Sequence, residues 1–304
     1  MSQAALQRFL SRNALGEDYL HHCEKWFNPL ITSLKQHLTQ TDGTAIIVGI
    51  NGCQGSGKST LSDYLCTVLE HAHDISAVTI SLDDFYQLKS ERQQLAETVH
   101  PLLATRGVPG THDLQLATHT LSALKHSKHG RCELPLFDKS IDDRSDRIKA
   151  VDLPVQIVLF EGWCIGATPQ TEQALLIPTN QLEREQDTNG QWRRYVNNAL
   201  ADYSTLFSLI DYQVMLKAPA FDSVLQWRIE QERKMESAHQ PQAIKATHVE
   251  DRHFMTDKDI HQFIQHYQRI TEHCLNTLPG KAHHLFELDH NRNIVSYTQP
   301  LVDQ

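Results

Sequence analysis

The chain has 304 residues, of which 40% are hydrophobic and 21% charged, a composition typical of globular proteins that fold without disulfides or metals. The formal net charge of −9 argues against binding to a nucleic-acid backbone, which needs clustered lysine and arginine. There is no apolar run of about 18 residues and no secretory signal, so we expect a cytoplasmic protein without a membrane span. The six scattered cysteines form no CxxC pair and are expected to be reduced thiols.

The predicted elements begin with a helical segment over residues 1–42, where leucine and aromatic residues recur on one helix face. Pro29 interrupts this segment, so we expect two helices or one bent helix. We expect the segment to pack on a core formed by residues 43–304, which alternate between helices and short apolar runs. These runs predict strands at "AIIVGI" (45–50), "SAVTISL" (76–82), "VQIVLFEGW" (155–163), "DYQVMLK" (211–217) and "HHLFELD" (283–289).

Strands that are apolar throughout and alternate with helices predict an α/β fold, with a mostly parallel sheet covered by helices on both faces. In such sheets ligands bind outside the carboxyl ends of the strands. Residues 52–59, Asp83 and Glu161 each follow a predicted strand, so they should meet at that edge. The charged stretch "LPLFDKSIDDRSDR" (134–147) is expected to be a loop, either solvated or a flap that closes on an anionic substrate.

The stretch "GCQGSGKS" (52–59) matches the pattern GxxxxGK[ST] at every fixed position, between a predicted strand and a predicted helix. Glycines let consecutive backbone N–H groups turn inward toward phosphate oxygens, and the helix adds its positive dipole end. This predicts the fold of P-loop NTPases; the alternative is a glycine-rich turn that merely caps a helix. The N-K-x-D element of GTPases is absent. The predicted phosphate-binding residues are Gly52, Cys53, Gln54, Gly55, Ser56, Gly57, Lys58, Ser59 and Thr60.

Acidic residues at the strand ends suggest the chemistry. Asp83 is placed to accept the proton of an acceptor hydroxyl close to a γ-phosphate, whereas Asp84 should point elsewhere. Both could instead cap the next turn. Glu161 follows a buried strand, where a carboxylate could bind Mg²⁺ together with the Ser59 hydroxyl; it could also simply face solvent.

Two further stretches carry candidate substrate and lid residues. "RGVPGTHD" contains Arg106, His112 and Asp113, although Asp113 or Thr111 could be only the N-cap of the following helix. Arg228 lies on a predicted helix and could neutralise charge on a transferring phosphoryl group. The alternative is that Arg228 and Arg233 pair with Glu230, Glu232 or Glu236 on an exposed helix.

In this order, the motifs "GCQGSGKS", "SLDDFY", "RGVPGTHD", "LPLFDKS" and "VLFEGW" resemble those of the plant-type D-glycerate 3-kinases and their yeast and bacterial relatives. The resemblance extends more distantly to uridine kinase, phosphoribulokinase and pantothenate kinase. It implies ATP as donor, Mg²⁺, and a small hydroxylated acceptor. It also implies Asp83 as base, Asp113 and Arg147 facing the substrate, and Arg228 in a lid region. The charged stretch around 180–200 is longer than expected of the plant enzymes, so acceptor specificity or assembly could differ there.

The sequence thus predicts a small-molecule kinase that transfers the γ-phosphate of ATP to a hydroxyl, with D-glycerate as the first acceptor to consider. Lys58, Asp83 and Arg228 are the predicted catalytic residues, and Ser59 and Glu161 the predicted metal ligands. The predicted substrate-binding residues are Asp84, Tyr86, Arg106, His112, Asp113, Lys139 and Arg147. One alternative is a nucleoside or pantothenate-like acceptor, with an aromatic slot formed by Phe85, Tyr86 and Phe137. Another is a nucleotide-switched binding protein with little transfer activity.

Overall fold

A computed structural model describes residues 3–243 and 256–299 of the chain. The strands are β1 (Ile46–Gly52), β2 (Ala77–Ser81), β3 (Gly130–Asp138), β4 (Asp143–Leu153), β5 (Ile157–Gly162), β6 (Tyr212–Lys217), β7 (His284–Leu288) and β8 (Ile294–Thr298). The helices are α1 (Gln3–Arg12), α2 (Asp18–Leu38), α3 (Lys58–His73), α4 (Lys89–Thr98), α5 (Leu114–His126), α6 (Glu172–Leu175), α7 (Gln181–Gln186), α8 (Gln191–Phe207), α9 (Phe221–Ala243) and α10 (Asp257–Thr277). Short 3₁₀ turns occupy Leu82–Phe85 and Pro101–Ala104.

The central sheet has six strands in the order β2-β5-β1-β6-β7-β8. The first five are parallel to their neighbours, and only β8 runs antiparallel. Every residue of β1 and β5 is buried, because helices cover both faces of the sheet. The predicted α/β fold with a mostly parallel sheet is therefore confirmed, although β8, a short and partly exposed edge strand, was not predicted.

The N-terminal segment forms two helices, but they separate at residues 13–17 rather than at Pro29. Ala14 has a φ of 52°, which lies outside the helical region and ends α1. Pro29 lies inside the continuous helix α2, whose buried face is Cys23, Phe27, Leu30, Ile31 and Leu34. Packing of this face on the core outweighs the backbone hydrogen bond that the proline removes.

The two N-terminal helices pack on α3, the helix that follows the phosphate loop. Phe9 and Phe27 both contact the ring of Tyr64, at centroid distances of 5.6 and 5.9 Å. Arg12 forms an ion pair with Asp63. None of the described helices is long and apolar enough to cross a membrane.

The charged stretch 134–147 was expected to be a loop, but it belongs to an antiparallel hairpin formed by β3 and β4. The loop prediction was wrong because most of β4 is exposed, so its sequence lacks the alternating apolar residues that indicate a strand. The hairpin is a separate two-stranded sheet, and its tip contains Lys139 and Asp142. It contacts the 3₁₀ turn after β2, so it lies beside the acids at that strand end.

Candidate active site

The phosphate loop connects β1 to α3 and is built on two glycines in left-handed conformations. Gly55 has a φ of 77° and Gly57, the N-cap of α3, a φ of 91°. A Cβ added to Gly55 would lie 2.7 Å from Cβ of Trp227, so only glycine fits beneath α9 there. Because α3 begins at Lys58, the first backbone N–H groups of the helix are available to phosphate oxygens.

Lys58, Ser59 and Glu161 meet at the start of α3. The Ser59 hydroxyl donates a hydrogen bond to Glu161 Oε1 at 2.9 Å, and Lys58 Nζ lies 3.7 Å from Glu161 Oε2. Glu161 Oε2 is buried and has no hydrogen-bond partner in the described part of the chain. Glu161 is largely buried, so it does not simply face solvent.

This arrangement fits Mg²⁺, because a hydroxyl and a carboxylate are oxygen donors of the kind that the ion prefers. Within residues 3–233 and 256–299, no group of three or more histidine, cysteine or acidic side chains could hold a metal by itself. A magnesium ion here would therefore need phosphate oxygens and water to complete its coordination.

Asp83 lies in the 3₁₀ turn after β2, and both of its carboxylate oxygens have partners. Tyr86 donates its hydroxyl to Oδ1, and Lys139 donates its ammonium to Oδ2, both at 2.7 Å. Burial acts to raise the pKa of Asp83, but the charges of Lys139 and Lys58 and the two hydrogen bonds outweigh it. The pKa of Asp83 is therefore held well below its usual range, and the side chain is ionised at neutral pH.

Asp84 points away from Asp83 and accepts a hydrogen bond from the backbone N–H of Phe137, at 3.2 Å. Burial and the neighbouring charge of Asp83 raise the pKa of Asp84 to about 6. The two adjacent acids thus have opposite pKa shifts: cations and hydrogen bonds stabilise the charged form of Asp83, whereas burial and the charge of Asp83 outweigh the backbone hydrogen bonds to Asp84. The cap of this turn is the Ser81 hydroxyl, which accepts from the Asp83 N–H.

His112 lies behind Tyr86 in a buried position. Its Nδ1 is 2.6 Å from the Tyr203 hydroxyl, and its ring centroid is 4.7 Å from that of Tyr86. Burial lowers the pKa of His112 to about 4, so the imidazole is neutral at pH 7. Its Nε2 is buried and has no hydrogen-bond partner in the described residues, which leaves one polar group unused beside the acids.

Arg106 and the hairpin tip hold each other in place. The Arg106 guanidinium pairs with the Asp142 carboxylate and lies 5.5 Å from the ring centroid of Phe137. Asp142 also pairs at 3.0 Å with Arg92, whose side chain is almost fully buried. These two arginines fix the tip of the hairpin next to Asp83. No local sequence pattern identified Asp142 as their shared partner.

Asp113 is the N-cap of α5, since its Oδ1 accepts from the Leu116 N–H at 3.0 Å. Its other oxygen pairs with Arg144 at 3.2 Å, and Arg144 also contacts the backbone oxygen of Tyr86. Arg147 is not brought into this cluster: it is exposed on β4, and no ion pair is found for it among the described residues. Arg144, which was not among the predicted substrate-binding residues, is the arginine that contacts Asp113.

Arg228 lies on α9, one residue after the tryptophan that packs on the phosphate loop. It forms an ion pair with Glu232 at 2.8 Å, and both side chains are mostly buried. Arg228 therefore pairs within the helix, as the alternative had it, but on a mostly buried rather than an exposed face, whereas Arg233 pairs with Asp257. Burial raises the pKa of Tyr267, and the negative charge of Asp83 raises it further. The positive charges of Arg106 and Arg228 act in the opposite direction. All four side chains therefore lie in the same region of the molecule.

The charged stretch around 180–200 forms α7 and the beginning of α8, and two of its three acids are buried in ion pairs. Glu183 accepts two hydrogen bonds from Arg269 of α10, at 2.6 and 2.7 Å. Asp187 pairs with Arg193 at 3.0 Å. The Glu183–Arg269 pair thus anchors the segment to α10, whereas the Asp187–Arg193 pair links two parts of the segment itself.

Sequence relatives identify the family. The uncharacterized kinase mug58 of Schizosaccharomyces pombe is 35% identical over 265 residues, covering 83% of this chain and 90% of that protein. The chloroplastic D-glycerate 3-kinase of Arabidopsis thaliana is 31% identical over 249 residues, covering 78% of this chain and 49% of the plant protein. The chain belongs to this family of P-loop kinases.

Solved structures of kinases share its fold. The D-glycerate 3-kinase of Cryptococcus neoformans has a TM-score of 0.72 and 28% identity, covering 88% of this chain and 96% of that chain. The YGR205w protein has a TM-score of 0.70 at 24% identity, covering 91% of this chain, and supports the fold alone. No family model matches the chain. Membership in the family makes this protein a small-molecule kinase, as the sequence predicted.

Proposed function

We propose that this kinase transfers the γ-phosphate of ATP to a hydroxyl of D-glycerate, giving 3-phosphoglycerate. The observation that carries the proposal is the position of Asp83, an ionised carboxylate in contact with Lys139 and within the field of Lys58. A carboxylate next to the phosphate loop suits an acceptor hydroxyl. The surrounding cations suit an acceptor that is itself an anion. The D-glycerate 3-kinases of Arabidopsis and Cryptococcus among its relatives support this choice.

The donor half of the site would be the phosphate loop. Residues 52–60 would bind the phosphates through backbone N–H groups, and Lys58 would neutralise charge on the β- and γ-phosphates. Ser59 and Glu161 would hold Mg²⁺, which when bound supplies further neutralisation of phosphate charge. Arg228 would approach the phosphoryl group from α9, which requires it to leave Glu232.

Asp83 would act as the base. During transfer the bond from the γ-phosphorus to the bridging oxygen of ADP breaks, and a bond to the acceptor oxygen forms. The hydroxyl proton passes to the Asp83 carboxylate and then to solvent. Because the pKa of Asp83 is low, its main contribution would be to orient the hydroxyl, in keeping with a loose transition state.

The acceptor half would lie between Asp83, His112 and the hairpin. Lys139, which is exposed and pairs with Asp83, is the cation most accessible to a glycerate carboxylate, whereas Arg106 is held by Asp142 and Arg147 is exposed on β4. The unpartnered Nε2 of His112 could hydrogen-bond an acceptor hydroxyl. A short substrate needs such directional contacts because it has little shape of its own.

The aromatic slot of the nucleoside alternative finds no support in the packing. Phe85 is fully buried, and Tyr86 and Phe137 pack edge to face at a centroid distance of 5.0 Å. Two rings in contact leave no parallel gap for a base to enter. D-glycerate therefore remains the better proposal.

An acceptor panel tests the proposal. Purified protein with MgATP would be assayed for ADP release with D-glycerate, L-glycerate, glycerol, uridine and pantothenate. We expect saturable release that depends on D-glycerate, with 3-phosphoglycerate as the product by mass spectrometry. Faster release with uridine or pantothenate would overturn the acceptor, and slow release independent of any acceptor would indicate a nucleotide-switched protein.

A further inference from the structure

The contact between Lys139 and Asp83 covers the proposed base. Lys139 Nζ lies 2.7 Å from Oδ2, while the Tyr86 hydroxyl occupies Oδ1. An acceptor hydroxyl approaching the carboxylate therefore meets an ammonium on one oxygen and a phenol on the other. Both groups affect the reactivity of Asp83, because each hydrogen bond withdraws electron density from the carboxylate and makes it a weaker base.

The two contacts differ in how firmly they are held. Tyr86 is only 3% exposed, with the tilted ring of His112 on one side of it and the edge-to-face ring of Phe137 against it. The Lys139 side chain is 61% exposed and extends from the hairpin tip. An exposed lysine is a mobile point charge on a flexible stem, so its ammonium can exchange one carboxylate partner for another. The phenol is thus a fixed partner of Asp83 and the ammonium a replaceable one.

The other cations near Asp83 already form ion pairs with other carboxylates. Arg106 is bound to Asp142 and lies over Phe137, and Lys58 faces Glu161 and the phosphate loop. Asp83 is the ion-pair partner found for Lys139 in the described part of the chain. An anionic group entering beside Asp83 would therefore compete most directly for Lys139.

We propose that Lys139 is a positioning residue that covers Asp83 until the carboxylate of the acceptor draws the ammonium away. The idea rests on the proposed function, and it adds a basis for acceptor choice: an anionic acceptor uncovers the base, while water and neutral alcohols do not. In the uncovered state the γ-phosphoryl group passes from the bridging oxygen of ADP to the acceptor oxygen, ADP leaves, and Asp83 takes the hydroxyl proton. In the covered state the same attack by water, which would give ADP and inorganic phosphate, is suppressed.

The test measures ATP hydrolysis without any acceptor. In Lys139→Met the base is permanently uncovered, and we expect hydrolysis to rise by at least about tenfold, which is part of the roughly 10²–10⁴-fold that general-base assistance can contribute. The rise should vanish in the double variant Lys139→Met/Asp83→Asn. Lys149→Met, an exposed lysine on the same hairpin, is the matched control and should hydrolyse ATP at the wild-type rate.

A second readout is the ratio of kcat/KM for D-glycerate to that for glycerol, which lacks the carboxylate. We expect Lys139→Met to lower this ratio by at least about tenfold, mainly through the KM for D-glycerate, and Lys139→Arg to restore part of it. Hydrolysis by folded Lys139→Met at or below the wild-type rate overturns the covering role. An unchanged ratio overturns the role in acceptor choice.

Failure of the glycerate assignment would look different. In that case wild-type protein does not use D-glycerate at all, but the acceptor-free comparison of Lys139→Met, its double variant and the Lys149→Met control still decides whether Lys139 covers Asp83. Thermal unfolding of each variant establishes that a low rate does not come from misfolding.

Discussion

Trp227 of α9 packs directly on Gly55 of the phosphate loop, so closely that a Cβ on the glycine would lie 2.7 Å from Cβ of the tryptophan. The indole N–H also donates to the backbone oxygen of His290 at 2.7 Å, which ties the helix to the turn after β7. The phosphate loop is therefore covered on one side by α9, which is held in place. Because α9 also carries Arg228, the geometry of the loop and the position of this arginine depend on each other.

We predict that Gly55→Ala destabilises the protein more than Gly57→Ala. Both glycines have positive φ, which for alanine costs about 1–2 kcal/mol. A Cβ on Gly57 meets nothing within 4 Å, whereas one on Gly55 collides with Trp227 and adds an overpacking penalty of about 1–3 kcal/mol. Denaturant unfolding without ligand measures the two changes. An equal loss of unfolding free energy in the two variants would show that the contact between Gly55 and Trp227 is not rigid.

We predict that Asp83→Asn lowers kcat by about 10²–10⁴-fold while ATP still binds, because the neutral amide orients the acceptor hydroxyl less well and cannot accept its proton. Calorimetric titration with ATP and steady-state ADP release separate the two effects. The control is Asp152→Asn, which removes an acid from an exposed pair with Arg131. Loss of ATP binding in Asp83→Asn would instead identify Asp83 as a structural residue.

We predict that Ser59→Ala raises the Mg²⁺ concentration needed for half-maximal activity by roughly 10–100-fold, as expected when a metal site loses an oxygen contact. A magnesium titration at fixed ATP measures the change. Ser62→Ala is the control, because the Ser62 hydroxyl lies on the same helix and bonds only the backbone oxygen of Lys58. The same Mg²⁺ dependence in both variants would contradict a metal role for Ser59.

We predict that Arg269→Met destabilises the protein by about 3–5 kcal/mol, because it leaves the buried carboxylate of Glu183 without its partner. Arg131→Met removes half of the exposed pair with Asp152 and should change the free energy of unfolding by less than about 1 kcal/mol. Denaturant unfolding compares the two. A small effect of Arg269→Met would mean that water reaches Glu183 when the arginine is gone.

The stability of the protein should fall as the pH drops from about 6.5 to about 4, and His284 contributes to this fall. The ring is buried between the hydroxyls of Tyr212 and Tyr297, each 2.8 Å from one nitrogen, and burial lowers its pKa from 6.5 to about 4. The unfolded chain binds this proton first, so the contribution is present above pH 6.5 and is lost toward pH 4, by roughly 3 kcal/mol.

The variant His284→Gln isolates this contribution. It should be less stable than wild type at pH 7.5, and the difference in unfolding free energy between the two proteins should shrink as the pH is lowered to 4. Other titrating groups, including Asp84, are common to both proteins and cancel in the comparison. A difference that stays constant with pH would show that His284 does not resist protonation.

Much of the fold could be predicted from local pattern. The five parallel strands are continuous apolar runs, and the glycines at 52, 55 and 57 with Lys58 mark the phosphate loop, because burial on both faces and close approach to phosphate restrict the residue types allowed. The hairpin of β3 and β4 could not be predicted in this way, because its exposed strand β4 has no apolar face. Pro29 suggested a break where packing keeps α2 continuous.

The sequence by itself determined the positions of five strands along the chain, the phosphate loop and the acids that follow β2 and β5, since these depend on residues next to one another. Only the tertiary structure decided the order of the strands in the sheet and the partner of each charge: Lys139 on Asp83, Arg144 on Asp113, and Arg269 on Glu183. Ion pairs of this kind join segments far apart in the chain. Their strength depends on how completely the fold removes water from them, which no local pattern encodes.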